Sequence, residues 1–170
     1  MNKIIFWVAV LSVLWIAVAS YYQPENQTTA AIGSAAPDFS LPTINGRTLA
    51  LSDAKGKPLV INFWNSWCPP CQEETPVLDH LYHQYKGEFQ LYGINNTSND
   101  TVGAVKLFLE NYHVDYPVLL DKSGEITRKY GVRGMPTTFL IDRNGKIVGK
   151  IVGYQGKEVL KKRVLSLLSK

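Results

Sequence analysis

The chain contains very little cysteine: Cys68 and Cys71 are the only two among 170 residues. Two cysteines cannot build the multi-bridge framework that stabilises small secreted scaffolds. A bridge between such close neighbours would also restrain the unfolded chain very little, because the loop it closes is short. The chain is long enough to bury a core without any disulfide. A purely structural bridge is therefore disfavoured, and the pair needs a chemical explanation.

The sequence also lacks a strong charge imbalance. Its net charge is +4, and the basic excess gathers near the end, where a solvated helix face is favoured over a lipid-contacting patch. It contains neither a glycine loop of the kind that cradles phosphate nor a basic and aromatic stripe of the kind that binds nucleic acid. No nucleic-acid partner is therefore expected.

Charged residues are absent from residues 4–22. This uncharged stretch approaches the roughly 20 residues needed to cross a hydrocarbon core, and Trp15 and Tyr22 suit a membrane interface. We therefore expect residues 1–22 to form a transmembrane anchor. A cleaved signal peptide is the alternative, because residues 17–19 have the small-x-small form of a signal peptidase site.

Lys3 precedes the apolar stretch and predicts that the N-terminus is cytoplasmic. Under either interpretation the rest of the chain is exported. Residues 23–34 are polar without periodicity and are expected to form a linker. Residues 35–170 have the length of one ordinary domain. We therefore expect a single-pass cell-membrane protein with its catalytic domain on the extracytoplasmic side and the lipid bilayer as a partner of its N-terminal segment.

Strand and helix patterns alternate along this domain, which predicts an α/β fold with a mixed central sheet flanked by helices. Strands are expected at 58–64, 89–95, 117–120, 137–141 and 146–152, and helices at 70–87, 101–112 and 124–130, with a last helix near the C-terminus. Asp100 is the expected cap of the second helix. Two short strands flanking Asn45-Gly46 predict an additional N-terminal hairpin.

The cysteines lie in the segment FWNSWCPPCQEETP, between a buried strand and a helix. A cysteine just before a helix has its sulfur beside free backbone N–H groups and the positive end of the helix dipole, and both favour the reactive thiolate. Cys68 is therefore predicted to be the exposed nucleophile and Cys71, on the same helical face, the more buried resolving thiol. Pro69 stiffens the loop, and Pro70 suits the first helical turn.

A zinc site and a peroxide-reducing thiol are the two other kinds of cysteine site that the sequence could contain. A zinc site would use Cys68, Cys71, His80 and His83, but His80 would project from the opposite face of the helix, too far away for tetrahedral ligation. A peroxide-reducing thiol usually has a hydroxyl three residues before the cysteine, and this chain has Asn65 there. Both are disfavoured, and no metal ligands are expected.

These motifs resemble the thioredoxin superfamily. The resemblance rests on residues 62–64 and 67–71, on Pro76, and on the second signature, Gly131-Val132-Arg133-Gly134-Met135-Pro136-Thr137. Ala36-Pro37-Asp38-Phe39-Ser40-Leu41 and Glu74-Thr75-Pro76 are similar to the membrane-anchored TlpA/ResA-like branch. That branch implies a thioredoxin fold with an N-terminal hairpin and a central insertion.

The resemblance also implies roles for particular residues. The bond before Pro136 is expected to be cis, which would place the Met135 backbone beside the sulfurs to pair with an extended substrate. Trp67 and Pro69 are expected to contribute to the substrate-binding surface. Glu74 matches an acid that ResA-like proteins place near the thiols, where it would carry protons. Cytoplasmic thioredoxins hold an aspartate at the position of Asn62, so here proton transfer would fall to Glu74 or water.

The predicted function is that of an exported thiol–disulfide oxidoreductase with no cofactor beyond the Cys68–Cys71 disulfide. The resemblance suggests a reductant of extracytoplasmic protein disulfides, for example in apocytochrome c during cytochrome c maturation, recharged by a membrane electron donor. An extracytoplasmic oxidase or isomerase remains an alternative, because it would share every catalytic residue. A copper-handling chaperone of the same fold is another, with Met135 as a soft ligand near the sulfurs.

Overall fold

The computed structural model describes residues 11–16 and 30–169. Within these residues no helix is both long enough and apolar enough to span a bilayer. The predicted anchor, apart from residues 11–16, and the predicted linker as far as residue 29 lie outside the described part of the chain. Residues 30–34 contact the folded domain. Ala30 is buried, and the backbones of Gly33 and Ser34 hydrogen-bond with the backbone of Ile147.

Strands form two sheets. The strands are β1 (Ser40–Pro42), β2 (Thr48–Ala50), β3 (Leu59–Trp64), β4 (Gln90–Asn95), β5 (Val118–Leu120), β6 (Thr137–Ile141) and β7 (Ile147–Val152). β1 and β2 form a separate antiparallel hairpin. The main sheet has the order β5-β4-β3-β6-β7; β3 runs parallel to β4 and antiparallel to β6.

Four α-helices connect or follow these strands within residues 30–169: α1 (Pro69–Gln84), α2 (Val102–Tyr112), α3 (Glu125–Lys129) and α4 (Lys157–Leu168). Short 3-10 turns occupy Leu51–Ala54 and Thr97–Asn99. Both prolines after Cys68 lie in the first turn of α1, where a missing N–H costs no hydrogen bond.

The sheet is covered on both faces, because β3 is buried along its whole length. On one face Val60 and Leu91 pack in a cluster with Leu78 of α1, Phe108 of α2 and Val164 of α4. The cluster on the opposite face contains the following residues of the sheet, α3 and the N-terminal hairpin region: Phe39, Leu41, Ile61, Phe63, Ile94, Ile126, Tyr130 and Phe139. This double cover explains why β3 has a continuous apolar sequence rather than an alternating one.

The mixed α/β architecture and the N-terminal hairpin agree with the sequence prediction. Element bounds differ by a few residues; α1, for instance, begins at Pro69 and ends at Gln84, before Gly87. The predicted cap of α2 was wrong, because Thr101 rather than Asp100 accepts the bond from the backbone N–H of Ala104. The expected central insertion stays a prediction, since strand order alone does not mark where inserted residues begin.

Candidate active site

The cysteines follow the buried strand β3 and therefore lie at the carboxyl edge of the sheet. Cys68 is the N-cap residue of α1, and its sulfur accepts a bond from the backbone N–H of Cys71 at 3.3 Å. The two cysteines are joined in a disulfide, with their Cα atoms 5.2 Å apart. The sulfur of Cys68 therefore lies where free N–H groups and the helix dipole stabilise a thiolate once the bond is reduced.

The prediction that Cys68 is exposed was wrong for this oxidised state. Cys68 is 4% exposed and Cys71 is 1% exposed. The side chains and backbone around the disulfide cover it, whereas Trp67 next to it is 57% exposed. The order of the two exposures agrees with the prediction, but the difference is small.

Several predicted substrate-contacting residues share one groove. It has a volume of about 370 Å³, and its lining includes Trp67, Cys68, Pro69 and Met135. The groove is also lined by polar and charged residues for which no contact with substrate was predicted: Asn65, Asn96, Asn99, Thr127 and Arg133. The groove is open to solvent and leads directly to the disulfide, as a site for a protein disulfide requires.

The peptide bond between Met135 and Pro136 is cis, as expected from the resemblance. The ring of Pro136 is buried, and its carbonyl accepts a bond from the N–H of Gly153. Within residues 30–169 the backbone of Met135 makes no hydrogen bond. Its N–H and C=O are thus available to an extended segment lying in the groove.

Glu74 lies on the inner side of α1, away from the groove. It is 2% exposed, and its Oε2 accepts a 2.7 Å bond from Nδ2 of Asn62 on β3. Nδ2 of Asn62 also donates to Oγ1 of Thr138 at 2.9 Å. Burial raises the pKa of Glu74 from 4.5 to about 7, although the hydrogen bonds from Asn62 and Thr138 oppose the shift.

A carboxyl group with a pKa near 7, one helical turn after Cys71, can both take up and release a proton at neutral pH. Glu74 and the neutral character of Asn62 were predicted from the sequence, but the contribution of Thr138 was not. Its hydroxyl comes from β6, whose register beside β3 places Asn62 opposite Thr138.

A second polar cluster holds the segment that precedes Cys68 in the sequence. This cluster was not predicted from the sequence. The carboxylate of Asp100 accepts bonds from the backbone N–H and the hydroxyl of Ser66, both at 2.7 Å. It also accepts a bond from Asn95 at 2.9 Å. The available signal was topological: the carboxyl ends of the parallel strands β3 and β4 meet at one edge, so the loops that follow them must be neighbours.

The histidines do not join the site. His80 is exposed, and His83 lies 3.0 Å from Asp115 and 3.4 Å from Asp79. In residues 11–16 and 30–169, no group of three or more histidine, cysteine or acidic side chains could hold a metal ion.

Comparison with known proteins identifies the family that this fold and site belong to. The model of the AhpC/TSA family matches residues 32–150. The chain belongs to the AhpC/TSA family. Within it, the chain is 40% identical over 164 residues to the thiol-disulfide oxidoreductase ResA of Bacillus thuringiensis subsp. konkukian, which covers 94% of this chain and 93% of the relative. It is 34% identical over 166 residues to the thioredoxin-like protein YneN of Bacillus subtilis, covering 93% and 96%.

Solved structures agree with the sequence relatives. A structure described as a thiol:disulfide interchange protein DsbE from Chlorobium tepidum superposes with a TM-score of 0.76 at 38% identity, covering 82% of this chain and 99% of that one. StoA from Bacillus subtilis superposes with a TM-score of 0.66 at 29% identity, covering 75% and 96%. This member of the AhpC/TSA family is thus a thiol–disulfide oxidoreductase of the ResA/DsbE type, and the thioredoxin-like fold and TlpA/ResA-like resemblance are confirmed.

Proposed function

We propose that the chain is an exported, membrane-tethered reductant of extracytoplasmic protein disulfides. The observation that carries the proposed direction is Glu74, a buried acid close to Cys71 whose pKa is about 7. When ionised it disfavours nearby thiolates. Strong disulfide-forming oxidants depend on a stabilised reduced form. An acid at this position, with prolines rather than a histidine between the cysteines, opposes that stabilisation and lowers the reduction potential.

The reaction begins with the reduced protein and a substrate disulfide in the groove. The thiolate of Cys68 attacks one substrate sulfur, the substrate S–S bond breaks, and the departing sulfur leaves as a thiolate that takes up a proton. Cys71 then transfers its proton to the ionised Glu74 and attacks the sulfur of Cys68. The mixed disulfide breaks, the second substrate sulfur leaves as a thiolate that takes up a proton from solvent, Glu74 returns its proton to solvent, and the Cys68–Cys71 disulfide forms. Two electrons have then passed to the substrate.

The next cycle requires two electrons from outside the chain. A membrane protein that carries a dithiol would supply them by the reverse exchange, consistent with a domain tethered through residues 1–22. The haem-binding cysteines of apocytochrome c are the proposed substrate class, because they must be reduced before haem attachment in cytochrome c maturation.

The direction of electron flow is tested by the reduction potential of the full chain in detergent, equilibrated against glutathione and dithiothreitol buffers. A potential near or below about −230 mV supports a reductant. A potential near about −120 mV would make the protein an oxidase, and one near −180 mV an isomerase.

Substrate and location need separate tests. The Cys71→Ser variant should accumulate a mixed disulfide through Cys68, and peptide analysis should find a Cys-x-x-Cys-His segment in the trapped partner. The matched Cys68→Ser variant should trap none. In intact cells a membrane-impermeant thiol reagent should label the reduced site, whereas labelling only after lysis would contradict export.

A further inference from the structure

The carboxylate of Asp100 joins two loops at the edge of the sheet. Oδ2 accepts bonds from the backbone N–H of Ser66 at 2.7 Å and from Nδ2 of Asn95 at 2.9 Å, with Nδ2 of Asn65 at 3.5 Å. Oδ1 accepts bonds from the hydroxyl of Ser66 at 2.7 Å and from the backbone N–H of Thr101 at 2.8 Å. The segment held in this way ends two residues before Cys68.

Only an acceptor can occupy the position of this side chain. Each of its oxygens faces a backbone N–H, from Ser66 or from Thr101, and a backbone N–H cannot reverse its role. An asparagine would turn an NH₂ group towards one of the two. Burial alone would raise the pKa of Asp100, but the bonds from Ser66, Asn95 and Thr101 outweigh it and hold the pKa below its usual value. Asp100 is therefore a carboxylate at neutral pH.

Neighbouring bonds link the same two loops. Nδ2 of Asn65 donates to the carbonyl of Asn96 at 2.9 Å. The indole N–H of Trp67 donates to the carbonyl of Asn99 at 2.8 Å. The loop after β4 therefore contacts each of the three residues that separate β3 from Cys68.

These bonds affect the position of the Cys68 sulfur, because further hydrogen bonds connect the same backbone segment to Cys68 and α1. The N–H of Cys68 donates to the carbonyl of Asn65 at 3.3 Å, and the side chain of Gln72 donates to the carbonyl of Ser66 at 3.1 Å. Fixing Ser66 thus fixes both the approach of the chain to the start of α1 and the position of the Trp67 ring beside the groove. Attack on a disulfide needs in-line geometry, so a displacement of even about 1 Å is costly.

We propose that Asp100 is a positioning residue for thiol–disulfide exchange. Its carboxylate holds the segment between β3 and Cys68 so that the sulfur of Cys68 and the ring of Trp67 meet the incoming disulfide in a fixed relative arrangement. It does not touch the substrate or the sulfurs.

The test compares Asp100→Asn with Asp142→Asn in the full chain. Oδ1 of Asp142 accepts two backbone N–H bonds, from Asn144 and Lys146, in the turn between β6 and β7, at the opposite end of the sheet. Because both bonds go to the same oxygen, an asparagine can keep them, and this variant therefore removes only a carboxylate charge far from the disulfide. Two rates are measured on each reduced protein: kcat/KM for reduction of insulin disulfides, which demands in-line attack, and alkylation of Cys68 by iodoacetamide, which demands far less alignment.

Asp100→Asn should lower kcat/KM for insulin by about tenfold and change the alkylation rate by less than about twofold, while Asp142→Asn should change neither. The proposal is overturned if Asp100→Asn leaves both rates unchanged, lowers them equally, or is matched by Asp142→Asn.

A milder variant keeps the proposal testable if Asp100→Asn does not fold. Ser66→Ala removes only the hydroxyl bond to Oδ1 and leaves the backbone bond to Oδ2. It should reproduce the selective loss of insulin reduction at a smaller size, and Ser66→Thr, which keeps the hydroxyl, should restore it. A Ser66→Ala protein with wild-type insulin reduction would overturn the proposal.

Discussion

Oε2 of Glu74 on α1 lies 2.7 Å from Nδ2 of Asn62 on β3, and both side chains are buried. Because Asn62 is an amide, this buried pair carries a single ionisable group. The acid lies on the helix, one turn after Cys71, and the strand supplies the hydrogen-bond donor that holds it.

The stability of the oxidised protein should fall as the pH rises from about 4.5 to about 7 and level off above it, and Glu74→Gln should abolish that fall. Unfolded Glu74 has its ordinary pKa of 4.5, whereas in the folded protein the pKa is about 7. Between these values the folded protein keeps a proton that the unfolded chain has lost, so raising the pH favours unfolding. The difference corresponds to about 3 kcal/mol. Urea denaturation at pH 4.5 and pH 8 measures it.

Glu73→Gln is the control for this experiment, because Glu73 is the exposed neighbour of Glu74. It should keep the wild-type pH dependence. An unchanged slope in Glu74→Gln would show that Glu74 is already ionised in the folded protein at acidic pH.

Asn62→Asp should destabilise the protein far more at pH 8 than at pH 4.5. It would place a second carboxyl beside Glu74, where the donor group of Asn62 now lies 2.7 Å away. Two adjacent carboxyls share one proton readily but resist losing both. We expect a cost of roughly 3–5 kcal/mol at pH 8, measured by urea denaturation. Asn144→Asp in the exposed β6–β7 turn should change stability little at either pH, and equal effects of the two variants would exclude coupling to Glu74.

Trp67→Ala should impair reduction of a protein disulfide without unfolding the chain. Trp67 is 57% exposed and lines the groove beside Cys68. Loss of an aromatic contact surface of this kind costs roughly 1 kcal/mol or more in binding, or about fivefold in kcat/KM for insulin. Leu107→Ala is the matched control, because Leu107 on α2 is 58% exposed but does not line the groove. If the two variants lost equal activity, the ring would have no specific role in binding.

The residues around Cys68 and Cys71 were sufficient to predict the redox pair, and the resemblance predicted the cis bond before Pro136 and the acid at Glu74, because all of these depend on short motifs. The mainly apolar run of β3 located that strand closely for a similar reason, since strands buried on both faces need no alternation of apolar and polar residues. The environment of Glu74 depends instead on the register between β3 and β6, which brings Thr138 opposite Asn62. No local pattern encodes that register.

Asp100 illustrates the same limit. Its sequence context suggested a helix cap, and Thr101 performs that role. The function of its carboxylate depends on Ser66, 34 positions earlier in the chain, and becomes visible only when the ends of β3 and β4 are placed side by side. The exposure of Cys68 was likewise overestimated from the sequence, because Cys68 belongs to a buried cluster against which Met135, distant in the sequence, packs.

Gly93→Ala should destabilise the protein, whereas Gly103→Ala should stabilise it. A Cβ atom at Gly93 on β4 would lie 2.8 Å from Cε2 of Tyr116 and 3.2 Å from Nε1 of Trp64, so the packing would have to shift. Overpacking of this kind costs roughly 1–3 kcal/mol.

At Gly103, on the exposed side of α2, an added Cβ would meet nothing within 4 Å. Alanine is favoured there by up to about 1 kcal/mol, because glycine loses more backbone freedom in a helix. Urea midpoints at pH 7 should therefore move in opposite directions for the two variants.

Because Trp64 directly precedes the segment that Asp100 holds, the clash at Gly93 should also slow insulin reduction. A Gly93→Ala protein with wild-type stability would show that Tyr116 and Trp64 are free to move apart, and that this part of the core does not fix the strand leading to Cys68.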